Sequence, residues 1–273
     1  MKLLLGTGLL LLCLIVACNP VAEQKVVTDP DTSSVYIELL HTYKTFQRTF
    51  GDCDSDTTSS CTSITLMYPH FSGTLNPTAE TTVNTAILEF MVGNILYDSS
   101  IYASYEDFAS AFINEYEDVK SEFEEAFGWQ YDGDVTVLRN DPHLLAIRFD
   151  TYLYTGGAHG KSAIRYLNLH PETGKPMTIQ DFFRDSFEKS LNEIARNAFM
   201  RQKGLASSEE LQEHGFWFED ENYFTDNITL LKDSLLLYYN QYEVAPYAYG
   251  PTRIAVPIDS IQHILTPGFN SSE

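Results

Sequence analysis

The chain has 273 residues, and its 38 acidic side chains outnumber its 17 lysines and arginines, which gives a formal net charge of −21. Hydrophobic residues make up 44% of the sequence and charged residues 20%, a balance that excludes a disordered chain and allows a sizeable buried core. The acidic excess disfavours nucleic acids and anionic lipid surfaces, which proteins usually bind through clusters of lysine and arginine. It favours a neutral glycan, a cation or a basic protein as the partner.

The N-terminus has the pattern of a bacterial lipoprotein signal. A single lysine is followed by a nearly unbroken apolar run over residues 3–16, which is too short for a comfortable membrane span and is typical of a signal peptide. The run ends in the sequence IVAC at residues 15–18, which resembles a lipobox. We therefore expect removal of residues 1–17, lipidation of Cys18, and a polar tether over residues 18–34. The alternative is an ordinary secretory signal that contains a cysteine by chance.

The remaining cysteines fit the expected location, a lipid anchor in the cell envelope, at the outer membrane or cell surface, facing an oxidising compartment. Beyond the signal and the lipidated residue, Cys53 and Cys61 are left as a pair. They bracket a turn-rich stretch, so we predict a disulfide that staples the end of a β-hairpin. Metal binding is the weaker interpretation. Asp52, Asp54 and Asp56 have the spacing that opens a calcium loop, but the glycine and glutamate that such a loop needs are absent.

The N-terminal half predicts paired strands followed by two helices. Residues 35–50 and 62–68 are rich in β-branched and aromatic side chains, and the two segments should pair. Residues 78–96 and 104–127 carry apolar side chains at helical spacing, and Ser104 can cap the second helix. We interpret the aromatic stripe of that helix as core packing. Its members are Phe108, Phe112, Tyr116, Val119, Phe123 and Phe127.

The C-terminal half predicts an antiparallel meander, then helices, then further strands. The meander covers residues 135–138, 144–154 and 161–169. The remaining predicted elements are a helix in one or two pieces over 178–203, a short helix over 208–213, a hairpin over 228–231 and 234–240, a strand over 253–257 and a terminal helix over 260–265. Because strands and helices do not strictly alternate, we predict an α+β fold of antiparallel sheets with packed helices, arranged as two small modules in one compact ectodomain.

Several motifs resemble a known pair of extracellular modules. The motifs in the C-terminal half are YTGGAH at residues 154–159, YLNL at 166–169, TGK at 173–175, LLLYYNQYEVAPYAYG at 235–250 and IAVP at 254–257. They are similar to signatures of the domain of unknown function at the C-terminus of the anti-sigma factor RsiV, and a related module accompanies the peptidoglycan deacetylase PdaC. In the N-terminal half, ITLMYP and VNTAI resemble the outline of the partner module. The resemblance implies a PdaC-like module over residues 35–128 and an RsiV-like module over residues 129–273.

The resemblance also implies a function. In RsiV the two modules bind lysozyme outside the cell, so we expect a binding module for a lysozyme-like muramidase or for cell-wall glycan rather than an enzyme. The acidic charge would attract a basic lysozyme at long range. We expect neither a transmembrane anti-sigma factor nor an appended deacetylase domain in this chain. One alternative is an enzyme of hydrolase or deacetylase type acting on envelope polysaccharide, and another is an envelope structural protein without a small ligand.

One candidate binding segment is the turn that follows the second strand of the meander. We single out Tyr154, Gly156, Gly157 and His159 there. The two glycines most simply supply positive φ angles in a tight turn, and His159 more simply caps the turn than catalyses a reaction. His143 and His170 lie in turns next to that of His159, so a site of three histidines for a metal is an alternative, but their spacing matches no metal motif. No complete catalytic motif is present in the sequence, and we predict no cofactor, no metal and no catalytic residue.

The second candidate binding segment is the tyrosine-rich stretch over residues 238–249. Tyrosine offers apolar area with a polar tip, which suits a recognition loop or a platform for sugar rings. We single out Tyr242, Pro246, Tyr247 and Tyr249. The alternative is that alternate tyrosines pack into the core, and the pattern favours this for Tyr238 and also for Tyr242.

Overall fold

The computed structural model describes residues 26–28, 35–37, 39–53, 61–73, 76–96 and 101–269. The predicted signal peptide and the lipidation of Cys18 lie outside the described residues. Within the predicted tether, Val26–Thr28 forms a first strand, β1, which pairs antiparallel with β2 (Val35–Ile37). Among the helices of the described ranges, none is both long and apolar enough to cross a membrane.

A five-stranded sheet organises the molecule. Its strands, in spatial order, are β3 (His41–Gly51), β4 (Cys61–Phe71), β5 (Gln130–Asn140), β6 (Leu145–Tyr154) and β7 (Lys161–Leu169). The β4–β5 pair is parallel, and the other three pairs are antiparallel. The sheet therefore joins strands from both sides of residue 128 into one structure.

Two helices between β4 and β5 cover one face of this sheet. They are α1 (Pro77–Val92) and α2 (Tyr105–Glu122). The side chains of Asn76 and Ser104 cap them, each accepting a hydrogen bond of 3.1 Å from a backbone N–H in the first turn. The helices and the sheet enclose a core that includes Leu66, Tyr131 and Phe149.

The aromatic stripe of α2 is only partly buried. Phe108, Phe112 and Tyr116 are fully buried, as predicted. Phe123 and Phe127, however, are 64% and 56% exposed, so their assignment to the core is wrong. The helix ends at Glu122, and Phe123 has an extended backbone. Because the helical spacing stops there, these two side chains no longer follow the buried face.

The opposite face of the sheet supports a second layer. Its elements are α3 (Ile179–Phe182), α4 (Glu188–Lys203), α5 (Ser208–Glu213), β8 (Ile228–Leu230), β9 (Ser234–Tyr239), β10 (Thr252–Pro257) and α6 (Ile258–Ile261). The three strands form a second sheet in the order β10-β9-β8. On β6, Leu145 and Ile147 face the first core, whereas Ala146 faces a second core with Phe199. One strand thus serves both cores because its side chains alternate between the two faces.

The predicted α+β class, with sheets and packed helices in one compact unit, is confirmed. The strand pairs are antiparallel as predicted except for β4 and β5, which are parallel because two helices connect them. The helix predicted over residues 178–203 forms in two pieces, and Ser186 between them has a φ angle of 63°. The strand predicted over residues 35–50 is divided into β2 and β3, and the terminal helix is shorter than predicted, with α6 followed by a 3-10 turn over Gln262–Ile264.

A disulfide closes the hairpin of β3 and β4. Cys53 and Cys61 are joined at an S–S distance of 2.06 Å, and their Cα atoms lie 4.7 Å apart. Gly51 and Cys61 are the last cross-strand partners of the two strands, so the bond lies at the hairpin's end. The predicted disulfide is confirmed. Asp54 and Asp56, two of the three residues of the calcium alternative, lie outside the described residues.

Candidate functional site

An open groove of about 590 Å³ crosses the face of the five-stranded sheet that is turned away from α1 and α2. Its floor consists of alternate residues of the strands, whose neighbours point into the first core on the other face. Floor residues include Thr65 and Met67 of β4, Asp132 and Asp134 of β5, Asp150 and Tyr152 of β6, and Ser162 and Ile164 of β7. Tyr238, Asn240, Gln241 and Pro251 form a wall from the second layer.

The floor of the groove is acidic. Asp134 and Asp150 are directly opposite each other in the β5–β6 pair. Asp150 accepts a hydrogen bond of 2.5 Å from Arg148, and Asp132 accepts one of 2.6 Å from Gln130. Like charges that face each other across a strand pair are destabilising, and the single guanidinium of Arg148 offsets them only in part. A positively charged or strongly hydrogen-bonding ligand would relieve this repulsion.

The charge state of the groove follows from its surroundings. Burial by itself would lower the pKa of Arg148, but the hydrogen bond and the charge of Asp150 outweigh it and raise that pKa above its ordinary value. Burial raises the pKa of Tyr238. Arg148 is therefore a fixed cation, and Tyr238 is a neutral hydroxyl, at physiological pH.

Asn240 fixes the wall of the groove to the sheet. Its side-chain carbonyl accepts a hydrogen bond of 2.8 Å from the backbone N–H of Ile164, and its Nδ2 donates to the Ile164 carbonyl at 3.2 Å. The backbone N–H of Asn240 donates in turn to Glu243 at 2.7 Å. Asn240 thereby makes the hydrogen bonds that a neighbouring strand would make at the edge of β7. These bonds hold the segment after β9 beside the groove.

The predicted turn lies at one end of the groove. Gly156 and Gly157 have φ angles of 100° and 91°, which favour glycine. The hydroxyl of Tyr154 donates to the Gly157 carbonyl at 3.2 Å. The Nδ1 atom of His159 lies 3.1 Å from the carbonyl oxygen of Gly160. These contacts shape the turn. They do not cover the face of the His159 imidazole ring, which packs against another ring.

The rings of His159, Tyr247 and Tyr242 form a stack, named here the aromatic stack. The ring centroids of His159 and Tyr247 are 4.7 Å apart with an interplanar angle of 24°, and those of Tyr247 and Tyr242 are 5.5 Å apart at 35°. Tyr242 and Tyr247 are 60% and 38% exposed. The structure thus brings together three of the predicted site residues from two distant segments.

The expected core position of Tyr242 is wrong, whereas Tyr238 is buried as expected. Strand β9 ends at Tyr239, so the alternation of the strand no longer applies at Tyr242, which has a left-handed φ angle of 69°. A non-glycine residue in that region is uncommon and costs free energy.

The two remaining predicted residues lie apart from these ring contacts. Pro246 is exposed, and the ring of Tyr249 packs against Phe216 at 5.5 Å between centroids.

The aromatic stack adjoins the groove at two points. Tyr152 lines the groove, and a Cβ atom built on Gly160 would lie only 2.4 Å from its ring. Gln241, which precedes Tyr242, also lines the groove. The aromatic stack therefore lies next to residues that line the groove.

The histidine of the site lacks an acidic partner in the part of the chain that the structure describes. His159 has no carboxylate within hydrogen-bonding distance there. Across the same described ranges, no group of three His, Cys, Asp or Glu side chains is arranged to hold a metal ion. The chemistry that these residues offer is hydrogen bonding, charge and ring stacking.

The aspartates of the floor were missed by sequence reasoning. Asp132 and Asp134 flank a glycine in β5, and this alternation of acids in a strand was the available signal. Asp150 gave no such signal, because only the strand register brings it opposite Asp134.

Two known families match the chain. Residues 55–162 match the family described as "Deacetylase PdaC", and residues 180–259 match the family described as "Protein of unknown function (DUF3298)". The three aspartates and His159 fall in the first region, and Tyr242 and Tyr247 fall in the second. The groove and its aromatic stack therefore draw on both matched regions.

A curated relative carries the first of these names. The peptidoglycan-N-acetylmuramic acid deacetylase PdaC of Bacillus subtilis (strain 168) is 26% identical to this chain over 134 residues. The matched part covers 48% of this chain and 28% of the deacetylase, so the chain spans less than a third of that relative's length.

Two crystal structures share the fold. A member of the DUF3298 family from Bacteroides fragilis superposes with a TM-score of 0.72 at 21% identity, covering 84% of this chain and 95% of the other. A DUF3298 family protein from Pseudomonas aeruginosa PAO1 superposes with a TM-score of 0.65 at 20% identity, covering 86% and 98%. The chain therefore contains a PdaC-type domain followed by a DUF3298-type domain.

Proposed function

We propose that this protein binds cell-wall glycan in the acidic groove and does not cleave it. The observation that carries the proposal is the aromatic stack of His159, Tyr247 and Tyr242 at the end of a groove floored with aspartates. Sugar rings present C–H faces that pack on aromatic rings, while their hydroxyl and amide groups hydrogen-bond to carboxylates and amides. The groove offers both kinds of contact side by side.

The comparisons support glycan as the ligand class. The curated relative is named for peptidoglycan, and the region that matches its family includes most of the floor of the groove. The groove combines stacked aromatic rings with hydrogen-bonding side chains, and for this reason we assign binding to this surface. The enzyme hypothesis is supported by the names of the matched family and of the curated relative, both of which name a deacetylase.

We also propose that the protein is lipid-anchored in the cell envelope through Cys18, at the outer membrane or cell surface. The disulfide supports an oxidising compartment, and the relative's name supports one that contains peptidoglycan. Metabolic labelling with a fatty acid should mark the natural chain and should not mark a Cys18→Ala variant. Equal labelling of both would contradict the anchor.

A second candidate partner is a basic, lysozyme-like protein. The formal charge of −21 and the opposed pair of Asp134 and Asp150 favour it, because both would attract a cationic surface. Such attraction weakens as salt screens it, whereas stacking of a neutral sugar on aromatic rings does not depend strongly on salt.

The test measures binding of the purified full chain to peptidoglycan fragments and to a basic lysozyme, each over a salt series. Tyr247→Ala should weaken glycan binding by about tenfold or more, which corresponds to about 1.4 kcal/mol. Tyr249→Ala is the matched control, since it removes an exposed ring of the same segment that packs on Phe216 outside the aromatic stack. It should change glycan affinity little.

Each result bears on one candidate. Unchanged glycan affinity in Tyr247→Ala would contradict the proposed site. Lysozyme binding that persists at physiological salt, without glycan binding, would favour the protein partner. Release of acetate or of new reducing ends from the fragments, lost in His159→Ala, would favour the enzyme.

A further inference from the structure

A second cavity, of about 610 Å³, lies at the outer edge of β7. It opens to solvent and is lined by the C-terminal end of α1, by β7 and by the start of α3. Phe90, Gly93, Arg165, Asn168 and Thr178 belong to its lining. This cavity and the groove share no lining residue, so a ligand bound here would occupy a site separate from that of the glycan.

Arg165 is held firmly in this cavity. Its guanidinium carbon lies 4.6 Å from the centroid of the Phe90 ring, and its Nη2 donates a hydrogen bond of 2.6 Å to the Phe90 carbonyl near the end of α1. Burial lowers the pKa of Arg165, and the neighbouring Tyr131 offsets this only in part. The guanidinium nevertheless keeps its charge at physiological pH.

No acidic side chain of the described residues balances the charge of Arg165. A guanidinium has five N–H donors, and within the described ranges Phe90 supplies the acceptor for one of them. No carboxylate of the described residues pairs with Arg165, whereas Arg48, Arg139 and Arg148 each form an ion pair at 2.5 to 2.9 Å. This occurs in a chain with 38 acidic and 17 basic side chains. Arg165 is thus a partly buried cation with no ion-pair partner among the described residues, and such a cation at the wall of a cavity invites an anionic ligand.

We propose that this cavity binds the carboxylate of an amino acid, either free or at the end of a peptide. The planar fork of a guanidinium matches a carboxylate through two parallel hydrogen bonds. Asn168 does not compete, because its Nδ2 donates to the Ile228 carbonyl and its Oδ1 accepts from Thr229.

The rest of the lining selects among anions. Glu89 and Asp226 also line the cavity, and both are exposed while Arg165 is partly buried. They repel a multiply charged anion such as phosphate, and they attract an ammonium group. An amino acid satisfies both requirements, with its carboxylate on Arg165 and its ammonium group toward the two acids.

The test uses the natural full chain, labelled with ¹⁵N at arginine, and follows the Nε–H signal of Arg165 by NMR. The probes are alanine, N-acetylalanine, alanyl-alanine and inorganic phosphate. We expect alanine or alanyl-alanine to shift this signal saturably, and Arg165→Met to weaken their binding by about tenfold or more, as measured by calorimetry. Arg201→Met on the exposed surface of α4 is the matched control and should bind like the natural chain.

The outcomes separate the two sources of the carboxylate. Equal binding of alanine and N-acetylalanine supports recognition of a peptide end. Binding of alanine alone supports a free amino acid, and Glu89→Gln should then weaken it. If none of the carboxylates shifts the Arg165 signal, or if phosphate alone shifts it, the proposal is overturned. The measurement on the natural chain decides the matter even if Arg165→Met fails to fold.

Discussion

The side-chain carbonyl of Asn227 accepts a hydrogen bond of 2.9 Å from the backbone N–H of Tyr166. Its Nδ2 donates to the carbonyls of Ile164 at 2.8 Å and of Tyr238 at 3.2 Å. Two of these partners lie on β7 and one on β9. Asn227 thus links the edge of the five-stranded sheet to the three-stranded sheet, and with Asn240 it holds the second layer against the first.

Asn227→Ala should lower the free energy of unfolding by about 1–3 kcal/mol, because it leaves partly buried backbone groups without partners. Asn227→Asp keeps the acceptor for Tyr166 but removes both donors, so it should also destabilise. Urea denaturation measures the change. Asn222→Ala at an exposed position nearby should stay within about 0.5 kcal/mol of the natural chain. Equal effects of the two alanine variants would contradict the role of Asn227.

Asp134→Asn should stabilise the protein while it weakens binding of a cationic partner. The substitution removes the like-charge repulsion with Asp150, which is worth about 0.2–1 kcal/mol. The gain should shrink as salt is added, because the repulsion is screened. Glu124→Gln at an exposed position is the control for loss of one negative charge. If both variants stabilise equally, general charge reduction and not the opposed pair explains the effect.

Two glycines should differ sharply in their tolerance of a methyl group. A Cβ atom at Gly128 would lie 2.0 Å from the backbone carbonyl oxygen of Cys61, and at Gly133 it would lie 2.4 Å from the terminal methyl of Met91. A flexible methionine can move, whereas strand backbone cannot. Gly128→Ala should therefore cost about 3 kcal/mol or more, and Gly133→Ala less than about 1.5 kcal/mol. Thermal unfolding of both variants checks the order, and a milder effect at Gly128 would contradict the close packing there.

Stability should fall as the pH rises above about 10. Burial raises the pKa of Tyr105, Tyr131 and Tyr239 well above the ordinary value of 10.0. Above that pH the unfolded chain loses these protons while the folded chain keeps them, so the unfolded state binds fewer protons and is favoured. The slope is about 1.4 kcal/mol per pH unit for each tyrosine. Urea titrations at pH 9 to 11 measure how the free energy of unfolding falls with pH, and this fall should be shallower in Tyr105→Phe. An unchanged slope in the variant would exclude a contribution from Tyr105.

Much of the fold could be predicted from local pattern. The meander, the helix over residues 178–203 and the hairpin of β8 and β9 follow from periodicity and turn residues, which act over short stretches of chain. The errors occur where a pattern continues past the end of its element. Phe123, Phe127 and Tyr242 keep the spacing of a helix or a strand, but the backbone has already left it.

The sequence by itself determined the acidic charge, the pairing of Cys53 with Cys61, the α+β class and the two aromatic segments that supply His159 and Tyr247. The tertiary structure alone decided that Asp134 faces Asp150, that His159 stacks on Tyr247, and that Arg165 lines a cavity without an ion-pair partner among the described residues. These relationships join residues that are distant in the chain. They depend on the register of strands and on the packing of layers, which no local spacing encodes.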